Sequence, residues 1–400
     1  MRFLTLFLSA FLVLTSCQKN KNKEVLKVVE ETLELAYLHS IAMAESLADQ
    51  PGQLPKTIGT DGELESCDSW WWVSGFFPGQ LWYMYEFSGS EEMKTWAEVY
   101  TERVRDQQYT TDNHDVGFMI YCSFGNGYRL TGNEDYLSVI KNSSYSLSSR
   151  FDEVVGCIQS WDRAEWNQQW QYAVIIDNMM NLEMLEFSAK KFDEHLFSYV
   201  ARTHANTTLK HHFRPDGSSY HVVSYDTITG LPELYHTDQG FSHSSAWARG
   251  QAWALYGYTM MYRETGIAEY LKHATVVADF ILDHPRLPED KIPYWDFDAP
   301  GIPNEFRDAS AGAIICSALL ELHQYVEDDR SFKYFKVAEK QLLALCNEPY
   351  LASAGENQNF ILKHSVGHWP NKSEIDVPLS YADYYFVEAL LRYRSLFKAN

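Results

Sequence analysis

Positive charge is scarce in this chain. Its 33 Lys and Arg stand against 54 Asp and Glu, a formal charge of −21 over 400 residues, which argues against nucleic acid or a polybasic membrane contact as the partner. An anionic ligand would have to meet Arg and His placed locally. Long apolar runs are also missing, because beyond the first residues no segment is long and apolar enough to cross a bilayer. Metal-type spacing is absent too, with no Cys-x-x-Cys pair and no zinc-like Cys/His pattern. His204, His211 and His212 can share a helix face, where they read as a solvated or packed face. Cysteine offers no disulfide framework: beside Cys17 there are Cys67, Cys122, Cys157, Cys316 and Cys346, an odd set that cannot pair completely. Cys122, Cys316 and Cys346 sit among apolar helical residues and read as buried free thiols.

What is present begins with a targeting signal. Arg2 precedes an apolar run from Phe3 to Leu14 that is too short to span a membrane stably. Leu14-Thr15-Ser16-Cys17 has the form of a bacterial lipobox, so residues 1–17 are expected to be a signal in which Cys17 becomes the lipidated first residue. A tether over 18–29 would follow, then one domain over 30–400. The expected location is the periplasm, lipid-anchored to the outer membrane, with membrane contact only through Cys17. The stretch after Cys17 lacks the acidic pair associated with surface export in some bacteria. Composition is globular, 46% apolar and 22% charged. Aromatic residues make up 15% of the chain, with 12 Trp and 26 Tyr, and flat amphipathic rings suit sugar-binding clefts as well as cores.

Apolar spacing predicts twelve helices. They begin with 24–48, 79–87, 90–105, 116–130 and 133–150. A buried helix over 172–188 carries Asp177 near its start, and 191–211 follows. Ser218–Tyr225 alternates as a short strand pair turned at Thr229-Gly230. Helices resume over 247–264, 268–282, 309–326, 332–346 and 381–397. The odd-numbered helices share a start: Phe87-Ser88-Gly89-Ser90, Leu130-Thr131-Gly132-Asn133 and Glu264-Thr265-Gly266-Ile267. Such a repeat means stacked helical hairpins, and six pairs close into a toroid. The even helices, rich in aromatics, Gly and Ala, suit its inner ring.

Each even helix starts at a polar and aromatic cluster: Trp70 to Gly79, His114-Asp115-Val116-Gly117-Phe118, Asp177-Asn178, Trp247 to Trp253, Arg307 to Ser310, and Tyr381 to Tyr385. A single Asp at a helix start reads as a cap. Six clusters meeting at one mouth of a barrel read as a site. Asp115 and Asp177 would share that cavity, and two carboxylates in one cleft are the equipment of glycoside cleavage. Burial would raise the Asp177 pKa, as suits a general acid, whereas a helix N-terminus would lower it. His221, Gln239 and Arg249 suit sugar hydroxyls and a carboxylate. Trp72, Phe118, Trp161 and Trp253 offer stacking surfaces.

Five ordered motifs, Trp-x-Ser-Gly-Phe-Phe-Pro-Gly, His-Asp-Val-Gly-Phe, Ile-Asp-Asn-Met-Met-Asn-Leu, Ser-Ala-Trp-Ala-Arg-Gly-Gln-Ala-Trp and Tyr-Ala-Asp-Tyr-Tyr-Phe, resemble the unsaturated glucuronyl hydrolases of glycoside hydrolase family 88. The likeness runs from about residue 30 to 397. It implies an (α/α)6 barrel, Asp177 as catalytic acid and Asp115 as the second essential Asp. Substrate contacts carry over to Trp72, His114, Phe118, Trp161, His221, Gln239, Arg249, Trp253 and Tyr384. The implied substrate is a lyase-generated oligosaccharide ending in a 4,5-unsaturated uronic acid. Protonation at C4 and water addition at C5 would give a hemiketal that expels the remaining sugar, with no metal or organic cofactor.

One element departs from the pattern. Where some members hold a sulfate with Ser-x-x-Ser-x-Lys, this chain reads Ser365-Val366-Gly367-His368-Trp369-Pro370, so a preference for 6-sulfated chondroitin fragments is not expected to carry over. Chondroitin, heparin, hyaluronan and algal fragments stay open, as does the related unsaturated rhamnogalacturonyl hydrolysis of pectin fragments. Two other classes fit parts of the sequence. A sugar epimerase would use a histidine pair such as His221 and His243, and a non-catalytic glycan-binding lipoprotein would need the Trp platforms but not both aspartates. Oligomeric state is not legible.

Overall fold

The computed structural model describes residues 2–398, with side chains from residue 22 to 397 except residue 328. The signal segment and Cys17 lie outside the described side chains. Helices are numbered α1 (Arg2–Ser46), α2 (Phe76–Ser88), α3 (Glu91–Glu102), α4 (Val116–Ile120, continued by Tyr121–Gly125 and Asn126–Thr131), α5 (Glu134–Ser148) and α6 (Leu182–Phe192). They continue as α7 (His195–His211), α8 (Ala248–Thr265), α9 (Ala268–Asp283), α10 (Ala309–Leu322), α11 (Asp328–Leu345) and α12 (Ser380–Lys398). The twelve expected helices are therefore present, and they form the (α/α)6 barrel.

Burial sorts them into two rings. Every residue from Ala248 to Met261 in α8, and every residue of α10, is buried. Helices apolar on all sides belong inside. In contrast, α3 buries Met93, Ala97, Tyr100 and Thr101 along one stripe, the pattern of an outer helix with one wet face. The repeated sequence signature is the joint between rings. Gly89, Gly132 and Gly266 each adopt a left-handed φ near the end of an inner helix (67°, 68° and 70°). Each donates its N–H to a tyrosine carbonyl four residues back, at 2.8 Å. This is a helix C-terminal cap that only glycine fills without strain. The next outer helix then opens on a side-chain cap, from Ser90 to the Met93 N–H and from Asn133 to the Asp135 N–H.

Short antiparallel sheets decorate the barrel: β1 (Leu54–Ile58) with β2 (Leu64–Cys67), β3 (Phe151–Asp152) with β4 (Cys157–Ile158), and β5 (Ala173–Ile175) with β6 (Val222–Tyr225) and β7 (Pro232–His236). A further hairpin pairs β8 (Ser365–His368) with β9 (Ser373–Val377). The hairpin expected near 217–230 is β6–β7, turned at residues 226–231 and extended by β5 into three strands.

Four expectations need correction. Residues 172–188 are not one helix: Ala173–Ile175 pair with Val222–Ser224 as a strand, Ile176–Asn181 make a 3-10 turn, and α6 starts only at Leu182. The short apolar run satisfies either periodicity, and pairing with β6 decides it. The fourth helix is interrupted at Tyr121–Gly125 by a π-helical turn. The seventh starts at His195 rather than residue 191, because Asp193 turns left-handed (φ 52°) to close α6. Val25 and Val29 are buried in the core, so the helix is docked over residues assigned to the tether.

The inner ring is packed to contact distance. A Cβ on Gly257 of α8 would lie 2.5 Å from the Met179 Cβ, in the 3-10 turn. Replacing Gly257 by Val should therefore destabilise the fold by about 2–3 kcal/mol, read from urea unfolding, because overpacking a filled core forces backbone movement.

Candidate active site

Asp177 is positioned by the sheet before it. The β5 strand runs beside β6 in the register Ala173 to Ser224 and Ile175 to Val222. The Ile176 N–H then donates to the His221 carbonyl at 3.0 Å, so the chain leaves the sheet with Asp177 beside His221. The Asp177 side chain is buried, and its Oδ2 makes no hydrogen bond. His221 Nε2 lies 3.7 Å from that oxygen. The other ring nitrogen, Nδ1, accepts the backbone N–H groups of Asp238 (3.1 Å) and Gln239 (3.2 Å). Burial pushes the imidazole down to about 3, so the ring is neutral, and its proton must sit on Nε2, facing Asp177.

Asp115 opens α4, where Asn113 Oδ1 accepts its backbone N–H at 2.9 Å. Its segment is clamped to that of Asp177. Asn181, the last residue of the 3-10 turn, accepts the Phe118 N–H on Oδ1 at 2.8 Å. A Cβ at Gly117 would meet three Asn181 atoms at 2.5–2.7 Å. The glycine in His-Asp-Val-Gly-Phe is thus a steric requirement for bringing the two carboxyls to one cavity.

Burial raises both acids. Asp177 is pushed up to about 7 by desolvation, opposed by the Arg249 charge and the Trp253 indole. Asp115 is pushed up to about 8 by desolvation and by the charge of Asp177, opposed by Arg150. The two titrate as a pair and retain a proton near neutral pH. His114 is buried and held neutral by burial and by Arg150. Its Nε2 lies 3.3 Å from Asp115 Oδ1, and its Nδ1 is 3.3 Å from Ser160 Oγ.

The aromatic residues close the floor. Trp72 packs on Phe118 (ring centroids 5.8 Å) and Tyr381 (4.9 Å), and Phe118 on Trp253 (5.3 Å). Trp161 stands to one side, stacked on Trp170 at 5.6 Å and edge-on to His221 at 6.3 Å. Arg249 is buried and largely committed. It donates to Asp308 Oδ2 (3.3 Å), to the Val366 carbonyl, and to the Gly367 carbonyl (2.6 Å), which leaves Nε unpaired. The Gln239 amide also donates to Gly367 O, at 3.2 Å. Both therefore anchor β8 against the site rather than presenting an open fork.

Tyr384 is not brought to the carboxyls. Its hydroxyl meets Tyr83 (3.2 Å) and Asn126 (3.1 Å) on the far side of the floor. Tyr381, three residues earlier and so almost one helical turn nearer the mouth, holds the position by Trp72 and Arg249. Its buried hydroxyl is unpaired. Tyr381 and Asp308 both lay in clusters visible in the sequence, and only helix phase distinguished them. Asp238 had no such signal. It reaches His368 Nε2 at 3.0 Å. Among the described residues no group of three or more His, Cys, Asp or Glu side chains is gathered to hold a metal ion, and no helix is long and apolar enough to cross a membrane.

No protein-family model matches the chain. It is 46% identical over 327 residues to an unsaturated glucuronyl hydrolase of Formosa agariphila, covering 81% of this chain and 80% of the relative. An unsaturated chondroitin disaccharide hydrolase of Streptococcus agalactiae is 29% identical over 378 residues, 92% of this chain and 91% of the relative. Among solved structures, an unsaturated glucuronyl hydrolase specific for heparin superposes with a TM-score of 0.90 at 47% identity, covering 93% of this chain and 98% of that one. The enzyme from Bacillus sp. GL1 gives 0.84 at 28% identity, with 91% and 96% covered.

Two buried acids with raised pKa values destabilise the fold in one pH window. Below about pH 4 they are protonated in folded and unfolded chains alike. Between about pH 4 and the raised folded values of about 7 and 8 the unfolded chain has released protons that the folded chain retains, so stability falls across that window and levels off above it. Asp177→Asn and Asp115→Asn should each unfold at a higher temperature than the wild type at about pH 8, and the difference should vanish near pH 4. Calorimetry at the two pH values checks this.

Proposed function

The chain belongs to the unsaturated glucuronyl hydrolases of glycoside hydrolase family 88, and from that premise we propose that it removes the 4,5-unsaturated uronic acid from the non-reducing end of lyase-generated, glycosaminoglycan-type oligosaccharides. The carrying observation is Asp177: a buried carboxyl held near neutral pKa, with one oxygen free of any hydrogen bond. Such a group holds a proton where it can be delivered to carbon.

In this reading Asp177 protonates C4 of the vinyl ether, and positive character develops on C5 and the ring oxygen. The carboxylate it becomes takes a proton from water as the water oxygen bonds to C5. The hemiketal then opens and expels the remaining sugar, so the anomeric carbon is never attacked directly. The His221 Nε2–H supports the Asp177 carboxylate, and Asp115 with His114 orients sugar hydroxyls and offsets the developing positive charge. Trp72, Phe118 and Trp253 supply the apolar floor beneath the ring, and Trp161 a side wall.

A heparin-type fragment is the favoured substrate. The heparin-specific enzyme is among the structures most like this chain. In addition, His368, in place of the second Ser of the sulfate-holding element, is engaged with the Asp238 carboxylate, which disfavours a sulfate at that spot. A lipid anchor at Cys17, facing the periplasm, belongs to the same proposal. Cys17→Ala should move the protein from the membrane to the soluble fraction of fractionated cells.

The double bond absorbs in the ultraviolet, so mixing the protein with lyase products of heparin, chondroitin, hyaluronan and pectin gives a direct readout. Absorbance should fall fastest with heparin disaccharides, and a fall with pectin products alone would replace this reading by the rhamnogalacturonyl one. Asp177→Asn should lose about 10² to 10⁴ in kcat, the usual worth of a placed proton donor, while keeping its fold. Wild-type kcat should fall as pH rises through about 7, since Asp177 must start protonated.

A further inference from the structure

The barrel has a second mouth. Behind the Phe118 floor of the aspartate cavity, a second cavity of ≈590 Å³ runs from Gly117, Phe118 and Met180 to the later turns of the inner helices, a size typical of small-molecule sites. Tyr83, Tyr121, Tyr256, Tyr384 and Tyr385 form its walls. Charge there is internally matched. Arg129 pairs with Glu86 (2.6 Å), Arg263 with Glu183 (2.5 Å) and Arg392 with Glu388 (3.3 Å), and Glu264, also in the lining, is held by Arg263 and Lys190. No unpaired cation is left for an anionic sugar, and the flanking glutamates would repel one. Aromatic faces beside alternating donors and acceptors suit an uncharged, polyhydroxylated ring.

Two further observations point to a ligand. The Tyr121 and Tyr385 hydroxyls line this space without a hydrogen bond to any described residue. The π-helical turn Tyr121–Gly125 breaks an otherwise regular inner helix at this wall. Its extra residue lets both Tyr121 and Cys122 face the cavity. Such turns cost helical regularity and recur at functional sites. Asp115, at the far end of the same helix, does not require one.

We propose that this distal cavity is a second carbohydrate site, taking a neutral pyranose such as an N-acetylhexosamine or hexose, and separate from the catalytic mouth. The Tyr121 and Tyr385 hydroxyls and the Glu183 carboxylate bind its hydroxyls, and tyrosine rings cover its apolar face. The inference stands independently of the hydrolase reading.

Titration of the full chain with N-acetylglucosamine, glucose and glucuronate, by calorimetry and saturation-transfer NMR, tests it. At least one neutral sugar should bind the distal cavity, and any glucuronate binding, which belongs to the catalytic mouth, should be unaffected by Tyr121→Phe. Tyr121→Phe, which removes one oxygen, should weaken binding about tenfold, equivalent to about 1.4 kcal/mol, and Trp72→Ala in the catalytic mouth should leave it unchanged. Tyr385→Phe is the second variant should Tyr121→Phe fold poorly. Absence of neutral-sugar binding, or binding lost with Trp72→Ala and retained in both tyrosine variants, overturns the proposal.

Discussion

The site depends on one hydrogen bond from a backbone N–H to a side-chain amide oxygen and on the missing side chain beside it. Asn181 takes the Phe118 N–H, and Gly117 leaves room for Asn181 to do so. The bond ties the turn carrying Asp177 to the helix carrying Asp115, and neither segment is otherwise regular enough to fix the other. Two carboxyls repel when ionised and lose hydration when buried. They share a cavity only because the packing of α4 against the 3-10 turn, and of that turn against Gly257, overrides both costs. The raised pKa values record chiefly that burial, with the Asp177 charge adding to it at Asp115.

A second set of contacts builds the other wall from distant sequence. Arg249 and Gln239 donate to carbonyls of β8, Asp308 caps α10 and accepts from Arg249, and His368 returns to Asp238 beside His221. The β8–β9 hairpin is thereby part of the site, although it lies more than a hundred residues from the sheet it leans on. Substitutions within the hairpin can change what lies next to the sugar without touching Asp177. This explains how a chain can keep the motifs around its acids and still depart at Ser365–Pro370.

Much of this was legible in the sequence, and the misses have physical causes. Helices buried all round or along one stripe announced themselves by composition and spacing, and the repeated Gly proved to be a helix cap. The Asp177 stretch misled because Ala-Val-Ile-Ile fits a buried strand as well as a buried helix, and only the partner strand β6, some fifty residues later, decides. Tyr384 carries over with a motif that marks a helix but not its phase, and its hydroxyl meets Tyr83 and Asn126. The π-turn at Tyr121 had no sequence signal, since it shifts the hydrogen-bond pattern without requiring Gly or Pro. Asp238 is placed by the loop that also caps His221, and spacing does not encode loops.

The parallel inner ring makes the two mouths electrostatically different before any side chain is considered. Helix N-termini gather at the aspartates, and their partial positive charge favours an anionic substrate on a protein of charge −21. Desolvation still outweighs this field at Asp177 and Asp115, since both pKa values rise. Helix C-termini gather at the other mouth, where their partial negative charge is answered by Arg129 and Arg263 in the last turns of α4 and α8. Those arginines are consumed by the helix ends and by neighbouring glutamates. The same topology that prepares one opening for a uronate therefore leaves the other neutral, and the chemistry each can accept follows from the direction of the helices.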